Sequence, residues 1–363
     1  MAIPRLGTAL AALTAWNTAA QVHVFVDDNA PDGGNGLTWA GALNDLREAV
    51  QLAEDLGEFR GEIRIAGGTY LGDLAEPLEI DRYGGQLSGI VLRGGFAGLA
   101  MPTASDTRCL SSFPTTLTGF RGIPIAQVNS AAVLTGPRML GPGPFGALGG
   151  VNAARGTVFD GLQFVGTQAI AVSADPDAAV IVRDCKFIDG DSPLGGAINA
   201  RSVSLLIESS EFTGCEASVL GGAIRHEDGV LIVRDSSFLE NTAFLGDGGA
   251  LFSDSDAVLI ERSEFVNNRL LEDFQFGDGG GAVYIERGDV TIEDSVFTGN
   301  RAELGGAIYF HAGAVQPLIA RSVFDSNNAA AGGAILAEQG ATLFVRESLF
   351  TRGNALGSGA IDA

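Results

Sequence analysis

Residues 290–297 alternate apolar and polar positions, the spacing of a strand with one buried face. Thr298, Gly299 and Asn300 follow with turn composition. Gly305 and Gly306 bend the chain again, and Ala307, Ile308, Tyr309 and Phe310 make a second short apolar run before a turn at residues 311–313. A unit of two or three short strands separated by turns leaves no room for a helix of ordinary length.

This unit recurs. Gly-Gly-Ala plus an aliphatic begins at Gly195, Gly221, Gly248, Gly280, Gly305 and Gly332, with a degenerate copy at Ser358. The second glycines are 26, 27, 32, 25, 27 and 26 residues apart. Between them run Phe187, Phe212, Phe238, Phe265, Phe297, Phe324 and Phe350, and Asn241, Asn268, Asn300 and Asn327 follow four of these three residues later. Strands recurring at such a period stack one coil above the next. The predicted fold is all-β: a right-handed parallel β-helix solenoid. The phenylalanines are expected to stack inside it. The asparagines should hydrogen-bond amide to amide between coils. Both series read as fold-defining stacks and not as a binding row. Gly190 and Cys215 replace the asparagine in their coils and should interrupt its ladder.

The pairing of Gly-Gly-Ala-Ile with Phe-x-x-Asn, over residues 180–363, resembles the repeat of polymorphic outer membrane proteins. That family carries a C-terminal membrane barrel, and the resemblance implies membrane attachment only through a part absent from this chain.

In the first half, Met1 to Arg5, an apolar run over residues 6–16 and small residues to Ala20 read as a signal peptide, residues 1–20. Residues 21–363 then form a single β-helix domain, in a protein that is secreted or on the outer cell surface. Residues 22–26 read as a strand. Thr38 is placed to cap a helix over residues 39–56, with Trp39, Leu43, Leu46, Val50 and Ala53 on one face. That N-terminal helix is expected to cap the open end of the solenoid. The order of strand, Gly/Asp loop with Trp39, helix and Ala66 to Tyr70 also resembles the start of bacterial pectin-lyase-like β-helix proteins. Residues 94–98 and 114–119 extend the resemblance. The Gly/Pro-rich stretch 136–150 reads as a long surface loop.

Acidic residues outnumber basic ones 44 to 22, a formal charge of −22. Such a surface repels nucleic acid and anionic lipid, so nucleic acid is excluded as a partner. The three cysteines, Cys109, Cys185 and Cys215, give neither a disulfide framework nor zinc spacing, and read as buried small apolar groups. Asp247 and Asp278 each precede a Gly-Gly step in consecutive coils and could share a calcium ion, although solvated turn carboxylates explain them as well.

One coil is irregular. Eleven residues separate Asn268 from Gly280, against six between Asn241 and Gly248. The insertion, residues 270–276, includes Leu270, Leu271, Phe274 and Phe276. It is expected to protrude and contact a partner. The function adopted on this reading is a secreted or cell-surface β-helix with an adhesive, structural or glycan-binding role, its partner a polysaccharide or another cell-surface molecule. The alternative is a polysaccharide lyase or glycoside hydrolase acting on acidic polysaccharide. It would be favoured by three carboxylates and an arginine on the outer face of neighbouring coils. The chain stops inside a coil, so end-to-end self-association is also expected.

Overall fold

The computed structural model describes residues 22–55, 61–71, 78–80, 90–109, 112–113, 115–118, 126–128, 132–135, 138–140, 151–153, 157–166, 170–173, 179–271, 279–356 and 359–363. The named strands pair in parallel, coil on coil, and build a right-handed β-helix. Among the described residues, one sheet of 20 strands carries both the strand after each Gly-Gly-Ala step and the apolar strand that follows it; a second, of 11 strands, carries the phenylalanines. A short third sheet pairs Asp191–Leu194, Glu216–Leu220, Thr242–Ala243 and Arg269–Leu270.

Alternation places every second side chain inside, and parallel register puts like on like. Phe164, Phe187, Phe212, Phe238, Phe265, Phe297, Phe324 and Phe350 are successive cross-strand partners. Their ring centroids lie 4.5–5.0 Å apart with interplanar angles of 2–4°. The column extends upward through Met139, Leu117 and Tyr70. Arg138–Leu140 is thus a strand of this sheet, where composition indicates loop, and Met139 holds the register position of the column.

Asn241, Asn268, Asn300 and Asn327 are buried, and the first three donate Nδ2–H to the next asparagine's Oδ1 at 2.9–3.0 Å. The same Oδ1 also accepts the backbone N–H of the coil above. Cys215 heads this column, and its N–H donates to Asn241 Oδ1 at 2.9 Å. A second polar column was not read from the sequence. Ser210, Ser236, Ser263, Ser295, Ser322 and Ser348 each accept the backbone N–H one coil above, at 3.1–3.3 Å. Cys185 heads it. Both cysteines are free and buried, and burial pushes each thiol up to about 12.

The two glycines of each step serve different needs. The first, such as Gly248, has φ +73°, a left-handed conformation that side chains resist. At the second, a Cβ on Gly249 would lie 2.0 Å from the Gly281 carbonyl oxygen of the next coil.

At the amino end the helix is shorter than the periodicity indicates. Thr38 Oγ1 caps only the 3-10 turn Trp39–Gly41, and the α-helix is Leu46–Asp55. Between them Leu43 is drawn into extended pairing with the first strand, Val22–Val26: its N–H donates to the Phe25 carbonyl at 3.0 Å and its carbonyl accepts from Asp27 N at 2.9 Å. Satisfying that strand's free edge prevails over continuing the helix. Trp39 consequently leaves the helical face and packs with Phe25 and Phe96. Leu46, Ala49, Val50 and Ala53 lie against Val24, Ile63 and Ile65, so the helix covers the end of the core.

Candidate functional site: the outer face of the Gly-Gly-Ala strands

After each Gly-Gly-Ala step the chain enters the large sheet with its aliphatic residue facing in. The next residue therefore faces out. In register these outward positions are Asn199, Arg225, Phe252, Tyr284, Tyr309 and Leu336. Unlike the interior columns, no residue type dominates here. Phe252, Tyr284 and Tyr309 stack with centroids 5.5 and 5.0 Å apart, and Leu220, Leu304 and Leu336 pack around them. All three rings are buried although they lie outside the solenoid core. Burial, reinforced by neighbouring carboxylates, raises both tyrosine phenols well above their usual range.

Charged side chains flank this aromatic floor. At its upper end Arg225 donates Nη1–H to Asn199 Oδ1 at 3.0 Å and pairs with Glu227, which also accepts from Arg201 Nε at 2.9 Å. In the middle, Arg287 joins three carboxylates from the two preceding coils: Asp228 at 2.7 Å, Asp256 at 2.8 Å, and Asp254. The hydrogen bond to Asp256 leads the effects that raise the Arg287 pKa. At the lower end His311 lies between Glu286, 3.4 Å from Nδ1, and Glu338, 3.5 Å from Nε2. Glu338 also accepts from the Tyr309 hydroxyl and from Ala312 N. The three carboxylates with an arginine are thus present on neighbouring coils, but they converge on the guanidinium and not on a common open point.

The residues singled out in the sequence fall elsewhere. Asp247 Oδ1 accepts the Gly279 N–H at 2.9 Å, an inter-coil turn contact, and Asp278 lies outside the described residues. Among the described residues no group of three or more His, Cys, Asp or Glu side chains gathers as a metal site. Leu270 does not protrude: it is buried in the short third sheet with Ala243 and Ala302, because its strand continues the coil before the insertion departs. Leu271 is exposed, and Phe274 and Phe276 lie outside the described residues. No helix among the described residues is long and apolar enough to cross a membrane.

The outer column was available in the sequence as the position after each Gly-Gly-Ala-aliphatic tetrad. Tyr284 and Tyr309 in adjacent repeats were the signal. Arg287 could not be found that way, because irregular register in the long strands Leu251–Glu261 and Val283–Glu293 shifts it into place.

A family model described as a right handed beta helix region matches residues 149–361. The chain belongs to that family. No curated protein matches it. Among solved structures the chain is similar to an endo-xylogalacturonan hydrolase from Aspergillus tubingensis, with 12% identity and a TM-score of 0.31, covering 94% of this chain and 99% of that one.

Proposed function

We propose that this is an exported β-helix protein that binds an extended glycan along the outer face of its Gly-Gly-Ala strands, in an adhesive or structural role. The observation that carries the proposal is the row of partly exposed polar groups from Arg201 through Arg287 to His311 and Glu338, set at strand spacing beside a rigid aromatic floor. Strands about 4.8 Å apart present such groups at intervals comparable to the rise of a sugar in an extended chain. Arginine forks and carboxylates are suited to vicinal hydroxyls, and ordered side chains lose little entropy on binding. The formal charge of −22 favours neutral glycans, or anionic ones bridged by calcium.

A second reading, glycan cleavage, is favoured by one feature. Glu286 and Glu338 sit two coils apart on either side of His311, and two strand spacings give about 10 Å, near the wider carboxylate separation that glycosidases use. The test is a panel of neutral and uronate-rich polysaccharides, with and without calcium, read for retention of the protein and for new chain ends. Retention without new ends supports the binding role. New ends that disappear in Glu338→Gln would transfer the assignment to a hydrolase or lyase. Absence of retention across the panel would overturn the glycan proposal.

A further inference from the structure

His226 stands one position after Arg225, so its side chain points into the core, and it is fully buried there. Its Nε2 lies 2.8 Å from the Val203 carbonyl oxygen and its Nδ1 lies 2.6 Å from Ser255 Oγ. A carbonyl only accepts, so Nε2 carries the hydrogen and Nδ1 accepts from the Ser255 hydroxyl. Ser253 Oγ is 2.6 Å from Ser255 Oγ and donates to it. Both serines are fully buried. The neutral ring therefore completes a three-member polar chain inside an apolar solenoid.

That chain sits behind an irregularity. Pairing of Leu251–Glu261 with Val283–Glu293 slips on both sides of Asp254. Ser253 and Ser255 are the inward residues of the slipped stretch, and Asp254 and Asp256 are the outward ones that hold Arg287. From the next coil Gly288, at φ +97°, closes over it; a Cβ there would lie 2.2 Å from the Ser255 carbonyl oxygen. The bulge is thus fixed from inside by an imidazole and from outside by a guanidinium.

We propose that His226, with Ser255 and Ser253, is an acid-sensitive latch that holds this bulge, and that protonation of the ring releases the segment carrying Asp254 and Asp256. A second N–H on the ring would face the Ser255 hydrogen, so Ser255 must reverse to accept from the ring and donate to Ser253, and Ser253 must turn its own hydrogen into the dry interior. The charged groups acting on the ring are Asp228, Asp256 and Asp254, which favour its protonation, but burial outweighs them and lowers the pKa to about 4. The sign follows from linkage. The folded pKa is below the unfolded value near 6.5, so the latch's contribution is complete above about pH 6.5 and is lost as pH falls through about 4. The latch is a property of the coil and stands whether or not the outer face binds a glycan.

The test is hydrogen exchange of residues 251–261 in the intact chain at about pH 7.5 and about pH 4.5, corrected for intrinsic rates, beside His226→Gln. Glutamine can donate to Val203 and accept from Ser255 without titrating. The wild type should show a local opening constant that rises on the order of 50–100-fold on acidification, with the flanking phenylalanine strands still protected, and His226→Gln should not. Equal acid response in both proteins, or none in the wild type, would overturn the latch. If the variant does not fold, the His226 ring can be followed by NMR in the wild type: titration near pH 4 together with opening of the segment supports the proposal, and titration without opening overturns it.

Discussion

The inward columns and the outward face of the same strands obey different rules. Inside, eight phenylalanines, four asparagines and six serines repeat coil after coil: the rings stack on one another, the first three asparagine amides bond to the next, and each serine hydroxyl accepts the backbone N–H one coil above. Outside, the position next to the repeated aliphatic reads Asn199, Arg225, Phe252, Tyr284, Tyr309 and Leu336, a different chemistry in almost every coil. A solenoid asks each coil to present the same interior, because the neighbouring coil is the only partner available. It asks nothing comparable of the exterior. Sameness marks the fold, and departure from sameness on an ordered face marks where selection for something else has room to act.

The comparison can be broken most forcefully at Phe265, fully buried between Phe238 and Phe297. Phe265→Ala should cost about 3–5 kcal/mol, since the rings above and below cannot close a gap set by strand spacing. Denaturant unfolding measures this, and a loss below about 1 kcal/mol would show that the aromatic column is not structural. Asn300→Ala should cost less, about 1–3 kcal/mol, because Asn268 Nδ2 and the Asn268 N–H lose their acceptor together. An unchanged midpoint would mean that water replaces the amide.

Outside, Arg287→Ala should alter stability by at most about 1 kcal/mol, as expected for partly exposed ion pairs. It should weaken glycan retention more than it lowers the melting temperature. The smallest effect concerns the last coil, where Leu349, Leu356 and Phe344 are exposed. Association of two copies through these exposed apolar side chains predicts that Leu349→Lys with Leu356→Lys reduces concentration-dependent light scattering. Scattering that is low in the parent chain, or the same in both, would remove that proposal.

Much of the fold was legible in the sequence, because each repeat testifies to the others. The Phe and Asn columns could be assigned from spacing, since parallel stacking converts a period directly into contact. The serine column went unread for a physical reason: serine is common in turns, and its role as acceptor of the next coil's N–H becomes visible only with the left-handed residues beside it, such as Asp235 and Arg262. Periodicity alone extends the helix too far, because it does not register that Leu43 is needed at a strand edge. The candidate site was less legible. Spacing places Leu270 in a protruding insertion, whereas its strand pairing keeps it buried, and Asp247 serves a backbone amide. The outer-face cluster depends on register slips that motif spacing cannot convey.

The central claim is that the outer face binds a glycan while the repeated phenylalanine, asparagine and serine columns only fold. Its most direct test is calorimetric titration of the polysaccharide retained best in the panel against the wild type and the double variant Arg201→Ala with Glu338→Gln. These substitutions lie at opposite ends of the face and outside the core. The account predicts affinity at least roughly tenfold weaker, the equivalent of one charge-assisted hydrogen bond, with the melting temperature little changed. Affinity equal to wild type, in a double variant as stable as the parent, would contradict it.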